Sequence, residues 1–305
     1  KEELQSAQSK AKGDLYGIGL IMQWSLDEQY LMVVEVVPNS PAEKAGIEVG
    51  DCITKLNDTQ VVSMSNDEIT KIIYSVGNMP ITCEVKRESQ AMEVTLVAEE
   101  VILEEFSTEL IQDILYIRLK SIKEGTSQKL EQVLSKYDQF TRGLILDVRD
   151  LNTDKIEEVS KISDLFLGEG IAFKLQSKKD GMVTFETQKN HYSMDMVIIT
   201  NKDTKGGVEA LVLALQDRAI QLGGNTGGDA YIKNLISFED GTGMSVAVGI
   251  INDCYGEELS KAGIEPDIRV YITEEEKLLM LEQGYVTKAD DSYLQEALKQ
   301  FQEIY

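Results

Sequence analysis

The sequence predicts an α/β protein of two domains, a small β-rich domain followed by an α/β core that ends in a helical tail. The chain has 305 residues, roughly twice the length of an average domain. Its first third combines many short apolar segments with two helix signals, whereas the remainder alternates strands with longer helices. We place an N-terminal segment at residues 1–14, the first domain at 15–99, the core at 100–272 and the tail at 273–305.

Cap residues and apolar segments define the elements of the first domain. Ser40 is typical of the N-cap of a short helix. Ser65 likewise predicts a helix over residues 66–76, in which Ile69 and Ile73 share one face. β-Branched apolar segments predict strands at residues 15–23, 30–37, 52–56, 81–86 and 92–97.

The core is predicted to contain parallel strand pairs, because its strands are separated by helices long enough to cross over a sheet. Predicted strands lie near residues 101–106, 115–119, 143–148, 171–176, 183–188 and 196–200. Predicted helices span residues 126–140, 154–167 and 207–221, and the tail at 273–305 is helical and acidic.

Charge and residue counts exclude several functions. The 30 basic and 53 acidic residues give a formal net charge of -23, which repels phosphate backbones and anionic lipid headgroups. We therefore expect no nucleic acid partner. Three scattered cysteines and a single histidine, His191, cannot form a disulfide framework, a histidine-based triad or a typical metal site, so we expect neither a metal nor a cofactor.

Several motifs carry a resemblance to a known family. Gly17-Ile18-Gly19, the segment 38–47 and Gly50-Asp51 resemble the PDZ domain of the C-terminal processing (tail-specific) serine proteases. Similar landmarks continue through the core, at residues 144–149, 163–167, 209–217 and 263–268. The resemblance covers nearly the whole chain and implies a PDZ domain joined to a protease core of the tail-specific type.

The resemblance implies an endopeptidase with a serine–lysine dyad, but this sequence departs from the family at each catalytic position. The serine position is Gly206, the lysine position is Asp229, and Lys233 replaces a supporting glutamine. The turn that supplies an oxyanion-hole amide reads differently over residues 150–154. Because glycine has no side chain to acylate and aspartate is a weak base, we predict a catalytically inactive homologue.

Two other interpretations of these residues stay open at this point. Thr204 or a nearby serine could act as a displaced nucleophile with Lys205 or Lys233 as its base, which would make the chain an active serine-type endopeptidase. Gly206 and Gly207 could offer backbone amides to an anion at a helix start, or they could simply form a tight turn.

The predicted peptide-binding residues belong to the PDZ domain. The resemblance implies that the loop Tyr16-Gly17-Ile18-Gly19 receives a ligand's C-terminal carboxylate, while Ile69 and Ile73 on the helix line a side-chain pocket. Both isoleucines could instead be ordinary core residues. The expected partners are protein or peptide C-termini.

Three further expectations concern assembly and location. The resemblance implies possible homo-oligomers through the terminal helices. It also implies a protein that is exported or membrane-anchored and faces outside. The sequence contains no apolar run of the roughly 18 residues that span a bilayer. Because the chain begins with Lys1 rather than methionine, an upstream anchor or signal is left open.

Overall fold

A computed structural model describes residues 14–25, 29–74, 79–87, 90–188, 191–238, 242–283 and 286–303. The predicted N-terminal segment falls almost entirely outside these residues. Contacts divide the chain into two compact units, one reaching to Leu103 and including Ile272–Asp291, the other comprising Glu104–Tyr271 and Ser292–Tyr305. No helix within the described ranges is long and apolar enough to cross a membrane.

Within residues 14–103, the first unit contains β-sheets and two α-helices. Its strands pair in the order β2-β3-β4-β6-β7, with β5 on β4, and β1 pairs with β8. The strands are β1 (Asp14–Gly17), β2 (Leu20–Trp24), β3 (Leu31–Val36), β4 (Cys52–Leu56), β5 (Thr59–Gln60), β6 (Pro80–Arg87), β7 (Gln90–Val97) and β8 (Glu99–Ile102). The helices are α1 (Pro41–Lys44), α2 (Asn66–Ile73) and, from the tail, α6 (Glu274–Gln283).

Both predicted caps of this unit are observed. The Ser40 hydroxyl accepts a hydrogen bond from the Glu43 amide at the start of α1. Ser65 and Glu68 form a reciprocal capping box at the start of α2. The predicted strand over residues 15–23 is instead two strands. It breaks because the Ile18 carbonyl accepts from the Ala42 amide and the Ile18 amide donates to Ile73, which removes Ile18 from either ladder.

The second unit is built on a six-stranded sheet of order β20-β17-β15-β11-β10-β9, in which only the β9–β10 pair is antiparallel. A four-stranded antiparallel sheet, β14-β13-β19-β18, and a two-stranded pair, β12-β16, complete it. The strands are β9 (Phe106–Ile111), β10 (Ile114–Leu119), β11 (Gly143–Asp147), β12 (Asn152–Thr153), β13 (Gly170–Ser177), β14 (Gly181–Thr187), β15 (Asp195–Thr200), β16 (Lys205–Gly206), β17 (Ile220–Gly223), β18 (Tyr231–Ser237), β19 (Gly243–Asn252) and β20 (Ile268–Arg269).

Helices cover this central sheet. They are α3 (Thr126–Tyr137), α4 (Ile156–Asp164), α5 (Gly207–Ala214) and α7 (Ser292–Glu303). The last helix packs Tyr293, Leu294, Ala297 and Phe301 against the sheet residues Ile145, Val197, Ile199 and Leu222. Among the described residues, α7 completes the apolar layer on this face of the sheet.

One predicted helix ends earlier than expected. The helix predicted over residues 207–221 stops at Ala214, and Ile220–Gly223 form a parallel strand beside β15. The prediction was wrong there because a short apolar segment fits a buried strand as well as a buried helix. The strands β18 and β19 were not predicted.

Candidate functional site

Gly206, which is predicted to stand at the family's catalytic serine position, lies where β16 meets α5. Its backbone angles are φ 61° and ψ -136°, a conformation that residues other than glycine rarely adopt. β12 runs parallel to β16 and places Thr153 opposite Gly206. The Lys205 amide donates to the Leu151 carbonyl at 3.0 Å. The segment that was predicted as a changed oxyanion turn is therefore paired directly with the serine position.

A side chain at position 206 would have no free space. A Cβ atom on Gly206 would lie 2.5 Å from Asn152 Oδ1 and 2.9 Å from the Thr153 carbonyl oxygen. A Cβ atom on Gly207 would lie 2.9 Å from the same carbonyl oxygen. Real Cβ atoms do not approach other heavy atoms so closely, so polar atoms of β12 fill the volume that a nucleophilic side chain would need.

Asp229, which is predicted to stand at the position of the family's base, forms an ion pair. Lys233 Nζ lies 2.6 Å from Asp229 Oδ2, and both side chains are partly exposed. The Lys233 amide also donates to Asp154 Oδ1 at 2.8 Å. Asp229 and Lys233 thus contact each other. The Lys233 amide also binds Asp154, the last residue of the segment that is predicted to correspond to the oxyanion turn.

A buried carboxylate that sequence reasoning missed, Glu209, joins the two parts of the site. It is fully buried in the first turn of α5. Its Oε1 accepts from the Thr226 hydroxyl at 2.5 Å and from the Gly228 amide at 2.8 Å, and its Oε2 accepts from the Asp229 amide at 2.9 Å. The sequence signal was a lone glutamate in an otherwise apolar helix, which predicts either a functional group or a satisfied internal acceptor.

The residues of the displaced-dyad interpretation do not form a dyad. Thr204 is fully buried, and its hydroxyl donates to the Val148 carbonyl at 2.9 Å. Lys205 Nζ lies 2.7 Å from Asp203 Oδ1. The hydrogen bond that Lys205 donates to Asp203 raises the pKa of Lys205 above its usual value, so the amine stays protonated at neutral pH.

A charged cluster beside the site supports the sheet. Asp147, at the end of β11, is fully buried and accepts from Arg149 at 2.6 Å and from the Tyr116 hydroxyl at 2.8 Å. Burial acts to raise the pKa of Asp147, but the charge and hydrogen bonds of Arg149 prevail and lower it. Arg149 also lies 5.0 Å from the centre of the Tyr293 ring. These landmark residues have a structural role here.

In the PDZ domain, the predicted carboxylate loop touches the end of α2. The Ile18 amide donates to the Ile73 carbonyl at 3.2 Å. A Cβ atom on Gly17 would lie 2.9 Å from that same carbonyl oxygen, and one on Gly19 would overlap Ser40. Glycine is required at both positions because the chain passes so close to α2 and α1.

The predicted pocket residues Ile69 and Ile73 are 6% and 7% exposed. They share one apolar cluster with Ile18, and Tyr16 packs against it partly buried. The structure therefore gathers all the predicted peptide-binding residues at one place. Their role in binding stays a prediction.

The fold and the order of its domains define a class, a PDZ domain followed by a serine protease core of the C-terminal processing type. Residues 113–270 match peptidase family S41, and residues 32–87 match the PDZ domain. The first match covers 158 of the 305 residues, and the chain therefore belongs to peptidase family S41. The predicted family and the predicted fold class are both confirmed.

Similar proteins agree with this assignment. A probable CtpA-like serine protease of Staphylococcus aureus (strain N315) is 26% identical over 277 residues, which are 88% of this chain and 55% of that protein. Another, of Staphylococcus epidermidis (strain ATCC 35984), is 25% identical over 276 residues, 88% of this chain and 56% of that protein. The chain thus spans about half the length of the curated relatives it matches.

Solved structures show the same fold. A putative S41 protease from Bacteroides fragilis superimposes with a TM-score of 0.66 at 14% identity, covering 96% of this chain and 84% of the other. A photosystem II D1 C-terminal processing protease superimposes with a TM-score of 0.55 at 20% identity, covering 88% of this chain and 76% of the other.

Proposed function

We propose that this chain is a catalytically inactive member of its family that binds extended peptides with free C-termini through its PDZ domain. The observation that best supports inactivity is the lack of space for a side chain in the turn at Gly206. The residue has no side chain, and Asn152 Oδ1 and the Thr153 carbonyl occupy the volume in which one would lie. Loss of the nucleophile in a related serine enzyme lowers turnover by about a million-fold.

The surrounding charges support the same proposal. The carboxylate at the base position, Asp229, is paired with Lys233. A carboxylate at this place would repel a developing oxyanion. An active enzyme with a displaced nucleophile is disfavoured because Thr204 is buried and donates its proton to a backbone carbonyl.

The test of inactivity is incubation of the purified protein with an unstructured substrate such as casein at several pH values. We expect no cleavage. Thr204→Ala serves as the matched control, because it removes the hydroxyl that the displaced-nucleophile interpretation names first. Cleavage by the wild-type protein that the Thr204→Ala variant lacks would refute the proposal, whereas cleavage by both variants would indicate a contaminating protease.

Peptide binding is supported by the sheet of the PDZ domain. β2 is its edge strand, so an extended peptide can add to it through main-chain hydrogen bonds. The glycine-containing loop Tyr16–Gly19 leads directly into β2. Such a loop needs only backbone amides to hold a carboxylate, which makes its function tolerant of change elsewhere in the chain.

Calorimetry with paired peptides tests this part of the proposal. We expect a peptide with an apolar C-terminal residue to bind as the free acid and to lose affinity when its C-terminus is amidated. Because the net charge is -23, acidic peptides should bind more weakly than basic ones, and added salt should reduce the difference. Equal affinity for the free-acid and amidated forms would show that the loop is only a turn.

From the family resemblance we also propose that the protein acts outside the cytoplasmic membrane, exported or anchored to it. Self-association through the C-terminal helix would have to use the outward face of α7, because Tyr293, Leu294, Ala297 and Phe301 are buried against the core's own sheet. Cell fractionation tests the location, and analytical ultracentrifugation tests the assembly.

A further inference from the structure

The two walls of the PDZ groove are joined at both ends by hydrogen bonds. One wall is the edge strand β2 with the loop before it, and the other is α2. At one end the Ile18 amide donates to the carbonyl of Ile73, the last residue of α2. At the other end Trp24 Nε1, from the last residue of β2, donates to Asn66 Oδ1, from the first residue of α2, at 2.8 Å.

The side chains between these two hydrogen bonds are packed against each other. Ile18, Leu20, Ile69 and Ile73 are 1%, 4%, 6% and 7% exposed and belong to one apolar cluster. The Tyr74 ring lies against Gly17, since a Cβ atom there would be 2.9 Å from Tyr74 Cδ1. A peptide that seats a side chain between α2 and β2 must therefore separate groups that are now in contact.

The same hydrogen bonds use groups that a ligand would need. The Ile18 amide belongs to the loop that is proposed to receive a C-terminal carboxylate, and in this structure its acceptor is a carbonyl of the protein itself. A carboxylate can take that amide only if the end of α2 moves away, because an N–H group has one proton to donate.

We propose, resting on the peptide-binding function proposed above, that Trp24–Asn66 and Ile18–Ile73 form a latch that holds the PDZ groove shut, and that the groove must open before a peptide binds. Apparent affinity then equals intrinsic affinity multiplied by the fraction of molecules that are open. The latch therefore sets how strongly the domain binds any C-terminal peptide, whatever its sequence.

The side-chain half of the latch can be removed without changing the groove loop. Asn66→Ala deletes the acceptor of the Trp24 indole. Losing one hydrogen bond of this kind shifts an opening equilibrium roughly fivefold. Asn66→Asp retains an acceptor oxygen at the same position, and Thr70→Ala changes an exposed residue of the same helix. Both variants should behave like the wild-type protein.

Two measurements on the full chain separate the latch from peptide binding. The first is hydrogen exchange of the Ile18 amide, which reports groove opening directly. The second is titration with an acetylated octapeptide of uncharged side chains that ends in valine with a free carboxylate. Trp24 is the one tryptophan in the sequence, so its fluorescence reports on β2 during the titration.

For Asn66→Ala we expect about fivefold faster exchange at Ile18 and an about fivefold lower Kd for the octapeptide. Unchanged exchange and unchanged Kd would overturn the latch while leaving peptide binding intact. Faster exchange without binding of the octapeptide by any variant would support the latch and contradict the proposed function. If Asn66→Ala does not fold, Trp24→Phe removes the donor and leaves α2 unaltered, and calorimetry then replaces fluorescence.

Discussion

Introducing the serine and lysine that the family resemblance places at these two positions, with Gly206→Ser and Asp229→Lys together, should not produce proteolysis. Serine at position 206 would need a backbone conformation that costs about 1–3 kcal/mol for a residue with a Cβ atom. That Cβ atom would also lie 2.5 Å from Asn152 Oδ1 and 2.9 Å from the Thr153 carbonyl oxygen. Overpacking of this kind adds about 1–3 kcal/mol. We therefore expect Gly206→Ala, the simplest probe, to destabilise the protein by about 2–6 kcal/mol.

A matched control isolates the part that comes from crowding. Gly125 precedes α3 as Gly206 precedes α5, and it also has a positive φ, 90°, but a Cβ atom on it would meet nothing within 4 Å. Gly125→Ala should therefore show the cost of a side chain in the left-handed region, at φ 90° and ψ 0°, without crowding. Adding Asn152→Ala to Gly206→Ala should recover part of the loss, since it removes the nearest atom.

Urea unfolding of these variants measures the stability changes, and casein cleavage by the Gly206→Ser/Asp229→Lys double variant measures activity. If adding Asn152→Ala recovers none of the stability that Gly206→Ala loses, crowding of the turn by Asn152 is refuted. Measurable turnover by the double variant would likewise show that the site still has room for catalysis.

Three further predictions concern buried and paired groups. Glu209→Ala should lower the free energy of unfolding by about 3 kcal/mol, because three donors lose their acceptor, and urea denaturation would show a smaller loss for Glu209→Gln. Burial raises the pKa of the Cys83 thiol to about 12, so a thiol reagent should label the other two cysteines first and Cys83 only after unfolding; early labelling of Cys83 would contradict its burial. Burial acts to raise the pKa of Asp51, but its hydrogen bonds with Arg87 prevail and lower it. The ionised pair should therefore stabilise the protein above the unfolded-state pKa of about 4, and this contribution should be lost as the pH falls through the folded-state pKa. Thermal unfolding should show a smaller acid loss for Arg87→Gln, and an equal loss would count against the pair.

Local signals in the sequence predicted the elements that depend on local chemistry. Ser65 correctly predicted the start of α2, because its hydroxyl accepts a hydrogen bond from the Glu68 amide three residues later. The end of α5 was placed too late, since the short segment from Ile220 to Gly223, with two large apolar residues, fits a buried helix as well as a parallel strand. Periodicity alone could not decide between them.

The contacts of the candidate site could not be predicted from the sequence. The placement of Gly206 and Asp229 at the family's serine and lysine positions rests on the resemblance to the family motifs and stays a prediction. The pairing of β12 with β16 joins residues more than fifty positions apart. No local sequence pattern predicts that Asn152 would occupy the space beside Gly206. The hydrogen bond between Trp24 and Asn66 could not be predicted either, because it depends on how α2 packs against β2, which is distant in the sequence.

The last helix has a consequence for synthesis of the chain on the ribosome. Phe301 lies against Gly143, and the Arg142 guanidinium donates to the Phe301 carbonyl at 2.9 Å. The strands β11, β15 and β17, against which α7 packs, are thus synthesised more than sixty residues before α7. Until residues 292–303 leave the ribosomal tunnel, a nascent core must keep Ile145, Val197 and Ile199 exposed to water or to a chaperone. Completion of this core therefore follows the synthesis of every strand that α7 covers.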